Sequence, residues 1–371
     1  MSNILGNNLK VTIFGQSHGE AIGCVIDGLC AGIKIDEEFI NECLSKRRPN
    51  GIGETKRVEL DNYKIISGVF NGYTTGSSIC ILIENNNTKS KDYESIKDLA
   101  RPSHVDYVAN AKYHGFNDYR GGGSFSGRLT APLVIAGSIA LRALEKLGIK
   151  IASHIKQIGD VYDASFNDVE KEVDAVNNKE FPTINDVSKD MLNEMEKAAM
   201  DNDSIGGVIE TAIVNMPVGI GQPMFSSIES ELAKAMFSIG GIKGIEFGLG
   251  FEFANVKGSF ANDELAIKDG KVITLTNNNG GINGGISNGM PIVFSVVVKP
   301  TPSIGKTQNT INMKTLKETT INVSGRHDPC IVRRVNIVVR CMCALVIADL
   351  LINKFGQEVF LKEGLKWWDM A

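Results

Sequence analysis

A long apolar tract near the C-terminal end of the chain places the strongest constraint on its fold. It runs from Cys330 to Ile352, which is the length that an α-helix needs to cross a bilayer. Five polar or charged residues interrupt it: Arg333, Arg334, Asn336, Arg340 and Asp349. Because ionisable side chains are costly inside lipid, the tract predicts a buried helix of a globular protein and no membrane partner.

Length and composition favour a globular protein with a large core. With 371 residues, 43% hydrophobic and 22% charged, the chain could form two domains or one large α/β domain. No long linker or low-complexity tract divides it, so we expect a single domain over residues 1–371. The net charge of −4 argues against nucleic acid or an anionic membrane as the main partner.

The cysteines and the first residues bear on the cellular compartment. The seven cysteines form no CxxC pair and show no spacing typical of a disulfide framework. The first ten residues are polar and lead directly into a strand-like segment, so they do not resemble a secretory signal. We therefore expect a protein of the reducing cytoplasm.

Hydrophobic patterns and glycine turns predict alternating strands and helices, which is typical of an α/β protein. The predicted strands are 10–14, 23–28, 63–70, 77–84, 207–216 and 292–299. The predicted helices are 37–46, 103–113 with Ser103 as its cap, 131–147, 188–200, 226–237 and the apolar C-terminal tract. Glycine-rich loops are expected at 115–127 and 277–289.

Two glycine patterns suggest an internal repeat. The first consists of Gly68, Gly72 and Gly76, which come before a predicted strand, and of Ile79 near the start of that strand. The second has the same spacing and consists of Gly281, Gly285, Gly289 and then Ile292. Matched turns before matched strands indicate a duplicated β-rich unit with pseudo-twofold symmetry, and two unrelated glycine loops are the alternative.

Arginine is concentrated in a few places. Of the 39 basic residues eleven are arginine, and the stretch 143–325 contains none. Nine of the eleven lie in a few glycine-rich segments: Arg47, Arg48, Arg57, Arg101, Arg120, Arg128, Arg326, Arg333 and Arg334. Because a guanidinium binds carboxylate or phosphate bidentately and lysine does not, this clustering indicates a site for a small, multiply anionic ligand. Chance placement with surface ion pairs is the alternative.

Two histidines and an aspartate lie beside these arginines. His18, in a tight turn between Ser17 and Gly19, could exchange a proton with a ligand or simply bond to backbone. His104 falls at a predicted helix start, where the helix dipole favours a neutral imidazole. Asp328 precedes the C-terminal helix and could equally be its cap. Their spacing matches no metal-ligand pattern, so we expect no metal.

A phosphate site is predicted where one strand ends. Lys299, Thr301 and Ser303 place an ammonium group and two hydroxyls within five residues there. The sequence contains neither the GxGxxG dinucleotide motif after a strand nor a P-loop. The predicted phosphate site therefore belongs to neither of these two nucleotide-binding types.

These segments together resemble the chorismate synthase family, in its order and from about residue 5 to residue 352. The motifs that carry the resemblance are FGQSHG from Phe14, KRRP from Lys46, ISGVFNG from Ile66, RPSHVDY from Arg101, DYRGGG from Asp118, GGIS from Gly284, KPT from Lys299 and GRHDPC from Gly325. The resemblance implies an α/β fold layered as a β-α-β sandwich.

The resemblance also implies a carbon-oxygen lyase that acts on phosphate. Such an enzyme converts 5-enolpyruvylshikimate 3-phosphate to chorismate, the last common step of aromatic amino acid biosynthesis in the shikimate pathway. The reaction is a 1,4-elimination of phosphate and a ring hydrogen, and it needs reduced FMN without net redox change. The substrate carries two carboxylates and a phosphate, which are the groups that clustered arginine binds.

The family's pattern implies a role for each site residue. His18 lies by the leaving phosphate, His104 protonates the reduced flavin, and Asp328 works with flavin N5. The implied substrate-binding residues are Ser17, Arg47, Arg48, Arg128 and Arg334. The implied FMN-binding residues are Ser124, Phe125, Ser126, Gly240, Gly241, Gly284, Lys299, Thr301, Ser303 and Arg326.

The chain departs from the family's pattern in several places. Ser124 and Leu133 stand where arginine is usual, Leu129 where glutamate is usual, and Gly53 where some members have an arginine linked to NADPH. The family is typically homotetrameric, and we expect a monofunctional enzyme supplied with flavin by an external reductant. The alternatives are a bifunctional enzyme that also reduces FMN with NADPH and a non-catalytic homologue that binds flavin or anions.

Overall fold

The computed structural model describes residues 3–49, 61–86, 97–323 and 328–362. The strands in chain order are β1 (Ile4–Leu5), β2 (Lys10–Gly15), β3 (Ala21–Asp27), β4 (Ala31–Lys34), β5 (Tyr63–Ser67), β6 (Val69–Phe70), β7 (Tyr73–Thr75), β8 (Ile79–Glu84), β9 (Lys150–Ile158), β10 (Val161–Tyr162), β11 (Gly207–Val214), β12 (Ile242–Phe247), β13 (Leu265–Lys268), β14 (Lys271–Thr274), β15 (Ile282–Asn283), β16 (Ile286–Ser287), β17 (Ile292–Val298), β18 (Gln308–Asn312) and β19 (Lys317–Ile321). The helices are α1 (Glu37–Arg47), α2 (Asp106–Lys112), α3 (Thr130–Lys146), α4 (Val169–Asn177), α5 (Ser188–Met200), α6 (Ile228–Phe237), α7 (Gly258–Ala261) and α8 (Val332–Phe355).

Two antiparallel sheets enclose a layer of helices. The first sheet has the strand order β1-β2-β3-β8-β5 and the second has the order β10-β9-β11-β17-β12. Helix α3 packs on β2, β3 and β8 of the first sheet, while α8 packs on β9 and β11 of the second. Helices α3 and α8 also pack along each other. The predicted α/β fold with a β-α-β sandwich is confirmed.

Both sheets are built from the same order of elements. In the first, β3 leads through α1 to β5, then to the hairpin of β6 and β7, then to β8 between β3 and β5, and on to α3. In the second, β11 leads through α6 to β12, then to the hairpin of β15 and β16, then to β17 between β11 and β12, and on to α8. The two glycine patterns form the two corresponding hairpins, so the predicted internal repeat is confirmed in the topology.

Among the described helices, α8 has the largest share of buried residues. Of its 24 residues 20 are buried, including charged ones that have partners. The Asp349 carboxylate accepts the backbone N–H groups of Asn7, Asn8 and Leu9 at 2.9, 2.6 and 2.7 Å. By length and composition alone, α8 and the stretch 120–146 are each apolar enough to cross a membrane. The apolar part of α8, however, is completely buried inside the protein. Prediction of a buried helix is therefore confirmed.

The start of the predicted helix 103–113 is wrong. Ser103 has a φ of 56°, in the left-handed region, and α2 begins only at Asp106 after Val105, with no side-chain cap. The predicted strand 63–70 is likewise interrupted at Gly68, whose φ is 81°. In both places a left-handed residue ends the regular dihedral pattern that the local composition favours.

Candidate active site

A cavity of about 930 Å³ lies beside the first turns of α3 and α8. Its walls come from both sheet layers: β1 and β2, the loop 124–130, the segment that follows α6, residues 299–303 and one face of α8. This volume is in the range of pockets that enclose a cofactor or a drug-sized ligand. The fold therefore places a large binding site where the two repeats meet.

Most of the residues predicted for the site line this cavity. They are Arg47, His104, Ser124, Phe125, Ser126, Arg128, Gly240, Gly241, Lys299, Thr301, Ser303, Asp328 and Arg334. Four others, Ser17, His18, Arg48 and Gly284, are not among the lining residues. Arg326 lies outside the described residues. The cavity thus brings together segments that are far apart in the chain, from residue 47 to residue 334.

His18 is buried under the glycine-rich loop. Its Nδ1 lies 3.1 Å from Ser17 Oγ, and that hydroxyl is 3.2 Å from the carbonyl oxygens of Arg120 and Gly121. The loop can approach this closely because Gly121 has a φ of 57° and no side chain. A Cβ at Gly121 would lie 2.2 Å from His18 Cε1. The imidazole is therefore fixed against the loop, next to the cavity wall and not on it.

His104 is held by a partly buried carboxylate. Its Nδ1 lies 3.0 Å from Asp106 Oδ1, and Arg101 binds both oxygens of the same carboxylate, with Nε and Nη2 at 2.7 and 2.8 Å. Burial raises the pKa of Asp106, but the hydrogen bonds from Arg101 and His104 outweigh it and hold that pKa well below its usual range. The carboxylate keeps the proton of His104 on Nδ1, which leaves Nε2 for a ligand.

Asp328 is tied to two other cavity residues. Its Oδ2 accepts a hydrogen bond from Arg334 Nη1 at 2.7 Å, and its carbonyl oxygen accepts one from Thr301 Oγ1 at 2.7 Å. The cap of α8 is Ile331 and has no side-chain cap bond, so the alternative interpretation of Asp328 as the cap is wrong. The Arg334 guanidinium also donates through Nε to the Arg47 carbonyl at 2.9 Å.

A cationic region lies at the end of β17. Lys299 Nζ donates to the Ser103 carbonyl at 2.8 Å, and Arg101 Nη1 donates to Ser303 Oγ at 3.3 Å. Burial and the nearby charge of Lys243 both lower the pKa of Lys299. The ammonium groups of Lys299 and Lys243, the Arg101 guanidinium and the Ser303 hydroxyl thus lie in one region. Such a set of donors is suited to binding a phosphate group.

Asp61 is a central residue that the sequence did not reveal. Its carboxylate is buried and contacts Arg47 Nη2 at 2.7 Å and Arg48 Nε at 3.5 Å. Arg128 Nη1 donates to its other oxygen. No motif or spacing signals this role, because Asp61 becomes significant only when the fold joins residues 47, 48 and 128.

The residues present fit FMN. Ile331, Val335 and Leu133 give the cavity an apolar wall that could cover a flavin ring, while the cationic region at Lys299 and Ser303 could bind its phosphate. Gly240 also lines the cavity, and a Cβ there would meet nothing within 4 Å. Among the described residues, no group of three or more His, Cys, Asp or Glu side chains could hold a metal ion.

Comparisons with known proteins bear on the family of the chain. The family model of chorismate synthase matches residues 9–352. Curated proteins named chorismate synthase are similar over nearly their whole length: that of Thermococcus gammatolerans is 44% identical over 95% of this chain and 98% of its own, and that of Pyrococcus abyssi is 46% identical over 94% and 97%. A crystal structure of chorismate synthase matches with a TM-score of 0.74 and 30% identity, over 95% of this chain and 94% of its own.

Proposed function

The chain belongs to the chorismate synthase family, and we propose that the cavity described above is where it turns 5-enolpyruvylshikimate 3-phosphate into chorismate. The observation that carries this proposal is the convergence of Arg47, Arg128 and Arg334 with His104 and Asp328 around one cavity. A substrate with two carboxylates and a phosphate matches such a set of guanidinium groups.

The arginines would bind and orient the substrate. Arg47 and Arg128 line the cavity on the side of α1 and the glycine-rich loop, and Arg334 lines it from α8. Fixing three anionic groups at separate points defines the position of the ring between them. The same charges stabilise phosphate as it leaves with its electron pair.

Lys299, Thr301 and Ser303 would bind the FMN phosphate, and the apolar face of α8 would cover the ring. Reduced FMN supplies, when bound, a reversible source of electron density for a reaction without net redox change. His104 would carry a transferable proton on Nε2 towards the cavity when both ring nitrogens are protonated, because Asp106 accepts from Nδ1. The Asp328 carboxylate, paired with Arg334, is an acceptor at the other wall. His18 would act on the leaving phosphate from beneath the loop, with Ser17 setting its ring orientation.

An anaerobic assay tests this function. The protein is mixed with 5-enolpyruvylshikimate 3-phosphate and chemically reduced FMN, and the release of chorismate and phosphate is followed. We expect both products in equal amounts, and no turnover would contradict the proposal. A parallel sample with oxidised FMN and NADPH tests the bifunctional alternative, and we expect no product there.

Three finer proposals concern the protein in its cell: a cytoplasmic enzyme, flavin reduced by a separate protein, and a homotetramer. Large apolar side chains at the surface support the last, among them Phe116, Phe225 and Phe251, which are 84–92% exposed. Light scattering after size-exclusion chromatography should give the mass of four 40.1-kDa chains, and the mass of one chain would contradict it.

A further inference from the structure

We propose that Asp61 is a positioning residue that holds the substrate-binding arginines in their working geometry, a role that rests on the function proposed above. Its side chain is completely shielded from solvent and sits among three guanidinium groups. One oxygen, Oδ2, faces Arg47 Nη2 at 2.7 Å and Arg48 Nε at 3.5 Å. The other, Oδ1, accepts from Arg128 Nη1.

Asp61 acts through the arginines and does not contact the ligand. Arg47 and Arg128 line the cavity, whereas Asp61 is not among its lining residues. A guanidinium is a rigid planar fork with five N–H donors, so fixing one edge by a carboxylate fixes the direction of the others. The position of Asp61 behind the cavity wall therefore determines how both forks face the substrate.

Asp61 also joins parts of the chain that would otherwise repel. Arg47 is the last residue of α1 and Arg48 is its C-cap, whereas Arg128 follows the glycine-rich loop about eighty residues later. Three like charges gathered in a partly buried place repel one another strongly unless an opposite charge lies between them. Arg334 is connected to the same assembly, since its Nε donates to the Arg47 carbonyl.

Further contacts keep the Arg128 side chain in this arrangement. Its Nε donates to Asn85 Oδ1 at 3.3 Å, and Asn85 Nδ2 donates to the carbonyls of Gln16 and Gly19 at 2.9 and 3.0 Å. Those two carbonyls belong to the turn that carries His18. One connected set of contacts thus runs from Asp61 through Arg128 to the turn of the proposed phosphate-side histidine.

Substrate binding in Asp61→Asn tests the proposal. The variant keeps the shape of the side chain but removes its charge, so the guanidinium groups lose their common anchor. We expect the substrate Kd, measured by calorimetry with oxidised FMN present, to rise roughly 10- to 100-fold, the scale of a lost charge-assisted contact. In turnover the effect should appear mainly in KM. The affinity for FMN should stay within about twofold, because Lys299 and Ser303 do not contact Asp61.

Asp349→Asn is the matched control. It also removes a buried carboxylate, one that accepts three backbone N–H groups next to α8 and lies outside the cavity lining. It should lower the Tm without changing the substrate Kd. If both variants lower the Tm equally and Asp61→Asn leaves the substrate Kd unchanged, Asp61 is only structural and the proposal is wrong.

Two further variants keep the outcome clear. If Asp61→Asn does not fold, Asp61→Glu keeps the charge but displaces it by one methylene, and an unchanged substrate Kd there overturns the proposal. In an Arg128→Met background, Asp61→Asn should raise the substrate Kd by a much smaller factor than it does in the wild-type protein. Full additivity would also contradict an action through Arg128. Absence of turnover in the wild type would count against the proposed function. The substrate Kd values of the variants test the positioning role of Asp61 independently of turnover.

Discussion

His104 and Asp106 show how one hydrogen bond can decide the chemistry of a side chain. From the sequence, His104 was predicted to be a neutral imidazole at a helix start. In the structure the helix starts two residues later, and the group beside the imidazole is the Asp106 carboxylate at 3.0 Å. The tautomer and ring direction of His104 are therefore set by a side chain and not by the helix dipole.

Asp106→Asn should impair turnover more than binding. An amide at this position can donate to Nδ1, and it then no longer stabilises the doubly protonated imidazole that would carry a transferable proton on Nε2 towards the cavity. We expect kcat to fall by roughly 10²-fold, the scale of a lost acid–base group, with a smaller change in substrate KM. Asp174→Asn, which removes an exposed partner of Lys150, is the control and should have normal kcat. A normal kcat in Asp106→Asn would remove His104 from the mechanism.

At the residue scale the sequence predicted residues that a motif or an unusual composition marks. His104, Asp328 and Arg334 fall in this class, and the structure places all three at the cavity. Asp61 and Asn85 do not, because each is an ordinary polar residue until a distant arginine is folded against it. Local sequence carries no information about such long-range pairs.

The glycine-rich loop is the element that brings the turn of His18 against the cavity wall. Gly121, Gly122 and Gly123 all have positive φ, with values of 57°, 83° and 55°. The backbone N–H of Ser17 donates to the Gly123 carbonyl at 3.2 Å. Left-handed backbone is cheap only for glycine, so this conformation requires the glycine run.

Gly121→Ala should abolish most of the activity. A methyl group at this position would meet the His18 ring at 2.2 Å, so either the ring or the loop must move. We expect kcat/KM to fall at least ~10-fold, because near-attack geometry is sensitive to displacements of this size.

Gly115→Ala is the matched control for the loop. Gly115 also has positive φ, 80°, but a Cβ there would meet nothing within 4 Å. Both variants share the cost of left-handed alanine, on the order of 1 kcal/mol, and the clash at position 121 adds to it, so Gly121→Ala should lower the Tm at least as much as Gly115→Ala. Equal activity of the two variants would show that the His18 contact is irrelevant to turnover.

At the element scale, strongly apolar segments were predictable and polar-edged ones were not. Helices α3 and α8 were predicted within a few residues, because nearly every face is apolar and buried. Strand β9 was not predicted, although six of its nine residues are buried, since its sequence carries His154 and two lysines. Their partners lie on other elements, and the local pattern does not reveal them.

The second sheet holds a buried group of charges that affects the stability of the molecule. His154 Nε2 lies 3.0 Å from Glu210 Oε2, while Nδ1 lies 3.4 Å from Asp163 Oδ2, which is long for a strong hydrogen bond. Lys156 Nζ donates to Glu210 Oε1 at 2.8 Å. Burial raises the pKa of Glu210, but the bonds from His154 and Lys156 outweigh it and lower that pKa to about 2. Burial lowers the pKa of His154, and its two carboxylate partners reverse this and raise it.

Stability should therefore decline on the acid side. The carboxylate of Glu210 has a lowered pKa, so its contribution is complete above the ordinary value of 4.5 and is lost as the pH falls from 4.5 to about 2. The contribution of His154 has the opposite sign: it is present below 6.5 and is lost as the pH rises through the raised value. Glu210→Gln should lower the free energy of unfolding at pH 6 by about 3 kcal/mol and make that free energy fall less steeply below pH 4.5.

Urea unfolding at several pH values measures how the free energy of unfolding depends on pH. Glu84→Gln is the control, because Glu84 pairs with Lys64 at an exposed edge and the profile should stay nearly that of the wild type. A Glu210→Gln profile parallel to the wild type throughout would show that this group does not govern the acid response.

For the whole molecule we propose that residues 1–371 form a single domain made of two repeats. One cluster of buried side chains extends from Leu9, just before β2, to Phe360 beyond α8, and α3 and α8 pack against each other within it. The cavity uses residues from both repeats, so separating them would divide the site. The sequence predicted the repeat from glycine spacing alone, but not that the site lies where the repeats meet.

A crystal structure with oxidised FMN and 5-enolpyruvylshikimate 3-phosphate tests the central claim most directly, namely that one cavity holds both. We predict the FMN phosphate within about 3 Å of Lys299 Nζ, the usual hydrogen-bond range, and the anionic groups of the substrate against Arg47, Arg128 and Arg334. Asp61 should keep its contacts with Arg47 and Arg128 in the complex. Ligand density at any other place, with this cavity filled by solvent alone, would contradict the account.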